Sequence, residues 1–197
     1  RLCKFSYQFI IRDRGDGNAF VHTLAQQHPA RIIQFYWLNP RAPDALQQLD
    51  KALATWPIRG IKLHQACDTF RNDGPAMARV AAFAGEHELP IFIHPYTKRE
   101  VVRLIALMRR YPQTNVILAH LMGMEIVADQ APDLLNVYFD TSGGETTSIA
   151  RLAYALKTFG ASRLIFSSDE PFGHFEDSFA RIQQLDISET QRAQILG

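Results

Sequence analysis

Short apolar, β-rich runs recur along this chain at a nearly constant interval, and that rhythm limits the fold more than any other feature. They cover residues 5–11, 32–38, 60–63, 90–94, 115–120, 137–140 and 164–167, with starts spaced by roughly 22 to 30 residues. A strand–helix–strand crossover needs about that length. The intervening segments have helical spacing. Residues 43–56 put Leu46, Leu49, Leu53 and Trp56 on one face, with Pro43 expected in the first turn. Residues 74–87 do the same with Met77, Val80, Ala81 and Ala84, and 98–111 with Val101, Leu104, Ile105 and Met108. A further helix is expected over 18–27. Such alternation argues for a parallel sheet covered by helices, and the nearly continuous apolar strands suit burial on both faces.

Two architectures remain, an open doubly wound sheet and a (β/α)₈ barrel one strand short. The phosphate-binding glycine fingerprint of the first is missing: Gly15-x-Gly17 lacks its third glycine, and Gly143-Gly144 leads into no motif. Nothing divides the 197 residues, so one domain over 1–197 is expected. Lysine and arginine number 21 against 20 acidic residues, which gives no electrostatic case for nucleic acid. No apolar run is long enough to span a bilayer. Cys3 and Cys67 have neither disulfide-framework nor metal-ligand spacing, so a reducing, cytoplasmic setting is expected.

Several runs end in residues that an apolar strand does not need: His94, His120, Asp140 and Asp169, and His64 with Lys62 two residues before it on the same side. Singly, each has a bland explanation, a histidine as a packing residue and an aspartate as the cap of the next helix. The stretches 140–142 and 168–171 suit caps, the second because Pro171 would stand in a first helical turn. Together they read differently. The active site of a parallel α/β fold lies beyond the carboxyl ends of its strands, where imidazoles and carboxylates from separate strands converge as ligands for a divalent metal. Lysine inside an apolar strand carries a desolvation cost and adds weight to that reading.

The runs GIKLH (60–64), FIHPY (92–96), ILAHLMG (117–123), NVYFDTSG (136–143) and FSSDEPFG (166–173) resemble, in this order, the amidohydrolase superfamily. The likeness is to its amidohydrolase-2 branch of TIM-barrel, metal-dependent enzymes, which includes decarboxylases related to aminocarboxymuconate semialdehyde decarboxylase. The resemblance implies a TIM-type barrel with seven of eight strands. It also implies metal ligation by His94 and Asp169, with His120 binding a second metal or the substrate and Asp169 moving the proton. Lys62 falls where some members carry a carboxylated, bridging lysine. His64, Tyr96 and Ser142 stand at the same rim as candidates for substrate contact. One departure is large: the first-strand His-x-His of the family is found nowhere, and His22 and His28 lie in and after a helical segment. The run 5–11 matches the family's second strand and 189–196 its last helix, so the chain reads as a fragment of a longer barrel.

The activity so implied is a metal-dependent hydrolase of a small carboxylate, lactone or amide, with zinc the first expectation and manganese, iron or cobalt as alternatives. A non-oxidative decarboxylase of the same superfamily is the second reading, and a non-catalytic fragment the third. A barrel wall open between residues 5–11 and 164–167 would leave two strand edges, so self-association is expected as well.

Overall fold

Every apolar run that the computed structural model describes forms a strand, and each strand pairs in parallel with the next in sequence. The structure describes residues 2–4 and 17–197. The strands are β1 (Leu2–Lys4), β2 (Ile32–Trp37), β3 (Ile58–His64), β4 (Ile91–His94), β5 (Val116–Leu118), β6 (Val137–Asp140) and β7 (Leu164–Ile165), in one seven-stranded sheet ordered β1 to β7. Each crossover carries helix: α1 (Gly17–Gln27), α2 (Ala45–Leu53), the short α3 (Gln65–Asp68), α4 (Pro75–Glu86), α5 (Lys98–Arg110), α6 (Met124–Gln130) and α7 (Ile149–Phe159), with α8 (Phe175–Gln183) and α9 (Glu189–Leu196) after β7. Among the described residues β1 and β7 do not pair with each other. This is the wall of an incomplete TIM-type barrel. The strand expected at 5–11 lies outside the described residues.

Register divides the side chains into two sets. Leu63, Ile93, Leu118 and Phe139 are aligned across β3 to β6 and almost fully buried, facing the helices. Against them pack Met77, Val80, Ala81 and Ala84 of α4 and Val101, Leu104, Ile105 and Met108 of α5, the faces that the helical spacing marks out. Full burial of such a side chain stabilises by roughly 1.5–3 kcal/mol, so this layer holds the wall together. The other set, Trp37, Lys62, Phe92, Ile117 and Tyr138, is aligned on the opposite face.

Three boundaries differ from expectation for local reasons. Helix α2 begins at Ala45 with Asp44 at its N-cap, so Pro43 stands ahead of the first turn rather than in it. Strand β5 ends at Leu118, because Ala119–Leu121 tightens into a 3₁₀ turn. Strand β7 ends at Ile165, because the Phe166 N–H donates to the Ile195 carbonyl of α9 (2.8 Å) and leaves the ladder.

Candidate active site

Parallel register sets the first half of the site. His64 lies opposite His94 and Lys62 opposite Phe92, so all four side chains share one face at the carboxyl end of β3 and β4. The two imidazoles stack with centroids 4.3 Å apart and planes 11° apart. Trp37, from the end of β2, extends the stack over His64 at 5.8 Å and 7°, its Nε1–H donating to Asp68 (3.2 Å). The Lys62 ammonium lies 4.0 Å over the Phe92 ring and is buried. Burial first, then the neighbouring His94, Lys62 and His120, brings the His64 imidazole down to about 3. Burial, His120 and Lys62 bring His94 down to about 4. Both rings are neutral at pH 7, the form that ligates metals and stacks.

The second half comes from the turns after β5, β6 and β7. His120 is edge-on to His94 at 5.1 Å, but it projects from the 3₁₀ turn with left-handed φ of 59° rather than from a strand. Asp140 closes β6 and is 2% exposed; its Oδ1 accepts the backbone N–H of His120 (2.7 Å), the N–H of Ser142 (3.1 Å) and the Ser142 hydroxyl (2.7 Å). Ser142 is fully buried and also contacts His120 Nδ1 at 2.8 Å, so its hydroxyl is committed within the protein. Gly143 (φ +111°) makes room for this arrangement, since a Cβ there would lie 2.8 Å from that of His120.

Asp169 sits past β7 in a turn that is left-handed at that residue (φ 60°) and whose backbone closes by Phe172 and Gly173 N–H donating to the Asp169 carbonyl. Gly173 allows the turn, because a Cβ would meet the Ser168 carbonyl oxygen at 2.1 Å. No helix starts at Asp169, and the next one begins at Phe175, so the capping role that 168–171 suggested is not what this aspartate does. Nor does Asp140 cap a helix; Ser148 caps α7. Burial pushes the Asp169 carboxyl up, His120 and Lys62 oppose this, and Asp140 adds to it. Asp169 follows β7 at the same carboxyl end of the sheet as these residues.

The structure thus brings Lys62, His64, His94, His120 and Asp169 to one end of the sheet. Ser142 is there too, but turned inward. Tyr96 is on the rim, 67% exposed, with its backbone N–H donating to Gln65 (3.1 Å). One residue of the site, Trp37, was not among the sequence candidates, because it continues the apolar run 32–38. Asp140 was among the strand-end candidates, but its bonds to His120 and Ser142 were not foreseen. The donor set suits a divalent cation: the His94 ring is neutral, its Nδ1 is buried with no hydrogen-bond partner among the described residues, and a carboxylate is nearby. Among the described residues no three His, Cys, Asp or Glu side chains already stand in a metal-holding arrangement. A cleft at the opposite end of the sheet, lined by Trp56, Ile58, Arg59, His87 and Glu88 among others, contains none of these residues.

No helix of the described residues is long and apolar enough to cross a membrane. The chain's fold is shared with solved decarboxylases. Over 94% of this chain and 74% of the other, it is similar to 2,6-dihydroxybenzoate decarboxylase from Rhizobium, with TM-score 0.79 and 19% identity. It resembles 5-carboxyvanillate decarboxylase from Sphingomonas paucimobilis over 98% of this chain and 72% of that one (TM-score 0.76, 19% identity). A dihydroxybenzoic acid decarboxylase from Polaromonas sp. JS666, solved with bound manganese and the inhibitor 2-nitroresorcinol, matches over 98% and 75% (TM-score 0.75, 18% identity). At such identities the likeness is one of fold. No curated protein matches the sequence. The family model described as amidohydrolase matches residues 9–197, nearly the whole chain, with the strand-end histidines and Asp169 inside the match. The chain belongs to the amidohydrolase family of enzymes.

Proposed function

We infer that the site serves a metal-dependent, non-oxidative decarboxylase of a small, planar aromatic carboxylic acid. The observation that carries this reading is the near-parallel stack of Trp37, His64 and His94 with the Lys62 ammonium on the same face of the sheet. A rigid row of neutral aromatic rings beside one fixed cation complements a small aromatic anion. The named reactions of the fold relatives, decarboxylations of hydroxylated benzoates, support the same choice. Hydrolysis of a lactone or amide, the first expectation from sequence, rests on the family match alone.

In this reading Lys62 pairs with the substrate carboxylate and the stack holds the ring in place. Asp169, kept protonated further up the pH scale by burial, hands its proton to the ring carbon that bears the carboxyl group. The bond from that carbon to the carboxyl group breaks, its electron pair stays on the ring carbon to form the new C–H bond, and carbon dioxide leaves. His94 and Asp169 would hold a divalent cation, the aspartate through the oxygen that does not carry the proton, with His120 beside them. When bound, such a cation neutralises charge on the substrate's oxygens. Manganese is the first choice from the fold relatives, and zinc is kept as the alternative.

The test is to supply the chain with manganese or zinc and offer hydroxybenzoates in one series and lactones and amides in another. Release of carbon dioxide, with solvent deuterium found at the former carboxyl position, is the expected result. Lactone or amide cleavage without carbon dioxide would replace the reading by the hydrolytic one. Turnover of neither series would overturn both.

A further inference from the structure

We propose that Asp140, acting through the Ser142 hydroxyl, is a positioning residue that holds His120 in the tautomer with hydrogen on Nδ1 and a bare Nε2. The inference rests on His120 belonging to the site described above, and otherwise on hydrogen-bond accounting. Asp140 Oδ1 already accepts two backbone N–H groups, those of His120 and Ser142, so that oxygen carries no hydrogen of its own. The Ser142 hydroxyl, 2.7 Å from the same oxygen, must therefore donate to it. A hydroxyl has one hydrogen. Once that is given to Asp140, the serine oxygen can only accept from His120 Nδ1, 2.8 Å away, and Nδ1 must bear the hydrogen. In the neutral ring Nε2 is then left with its lone pair for a cation or a substrate proton.

Two further features mark the relay as built rather than incidental. His120 adopts left-handed φ of 59° and the next residue, Leu121, follows at 53°, conformations that non-glycine residues rarely hold without support. The bond from the His120 N–H to Asp140 supplies it. Asp140 Oδ2 is buried with no hydrogen-bond partner among the described residues, so the carboxyl group is not there to satisfy a second donor. Its one engaged oxygen clamps the backbone of His120 and, through serine, its ring. A residue serving only to cap the β6 turn would need the Ser142 N–H alone.

The experiment is ¹⁵N NMR of histidine-labelled chain without metal, at pH 7, with the His120 signal assigned by its loss in His120→Gln. Protonated Nδ1 and unprotonated Nε2 are expected in the unaltered chain, and hydrogen on Nε2 would overturn the proposal without any variant. Ser142→Ala removes the bridge while both backbone bonds to Asp140 remain. Its His120 should become a mixture of tautomers, and kcat should fall roughly 10- to 100-fold with little change in KM. An unchanged tautomer in Ser142→Ala would equally overturn it. Asp140→Asn keeps an oxygen acceptor in place and should preserve the Nδ1–H signal; its loss there would count against the relay. Because the NMR readout needs no turnover, it is independent of whether decarboxylation is the correct reaction.

Discussion

His64 and His94 face each other as two neutral rings, and that contact has a cost in acid. Unfolded, each imidazole titrates near 6.5, whereas folded they are brought down to about 3 and about 4. Between those values the unfolded chain binds more protons than the folded one, so the contribution of both residues is present above pH ~6.5 and lost as pH falls towards the folded values. The melting temperature of metal-free chain should therefore drop from pH 7 to pH 4, and His94→Gln should flatten that slope; an unchanged slope would show the rings to be solvated. Asp169 has the opposite sign. Its raised carboxyl favours the folded state in acid and loses that advantage as pH rises through its folded value. Asp169→Asn should thus leave the metal-free melting temperature at pH 7 unchanged or higher, while kcat falls by at least ~100-fold. Near-normal turnover would remove Asp169 from the proton transfer. These residues were visible in the sequence because each interrupts an apolar run with a polar end. The role of Asp140 was not visible, because its partner His120 lies 20 residues away in a left-handed turn that no local pattern announces.

Among the elements, the loops after β3 and β4 are tied together by one buried acid. Glu100, in the first turn of α5, accepts the Asn72 N–H (2.8 Å), the Gln65 side-chain amide (2.9 Å) and Arg103, and Gln65 in turn accepts the Tyr96 N–H. Burial alone would raise the Glu100 carboxyl, but these hydrogen bonds outweigh it and hold it below the usual range. Removing it strips the Asn72 N–H of its acceptor, while Arg103 keeps Asp73 (3.3 Å) and the Gln65 amide keeps the Phe70 carbonyl (2.9 Å), a change costing on the order of 2 kcal/mol. Glu100→Ala should lower the urea midpoint accordingly. It should also weaken substrate binding, because His64 and His94 end the strands from which these loops start. A loss below about 1 kcal/mol would mean that water replaces the carboxylate. Thr97, whose side chain accepts the Glu100 N–H (3.3 Å), is the smaller contributor; Thr97→Ala should cost ~1 kcal/mol. Strand order and the inward faces of α4 and α5 were legible because apolar periodicity reports burial directly. The early ends of β5 and β7 were not, because each is decided by a tertiary event, a 3₁₀ turn that satisfies Asp140 and an N–H captured by α9.

At the scale of the whole molecule, the incomplete wall leaves a question of where a second copy of the chain would attach. Strand edges were the first expectation, yet β7 has only two residues, and the next N–H, that of Phe166, already donates to Ile195. So short an edge is a poor template for pairing. The aromatic cluster beside it is the better candidate: Phe172, Phe175 and Phe179 are 59%, 46% and 36% exposed, and the rings of Phe175 and Phe179 stack at 5.8 Å over Phe166. Their exposed area is on the order of 300 Å², comparable with the largest apolar patch of an ordinary monomer and well short of the roughly 800 Å² per partner of a stable interface. Weak, concentration-dependent self-association through α8 is therefore the expected behaviour. Sedimentation velocity over a wide concentration range should show the mean mass rising, with Phe175→Lys suppressing the rise and Ile165→Lys on the β7 edge leaving it in place. The reverse pattern would return the contact to the strand edge, and a single monomeric species at every concentration would discard both.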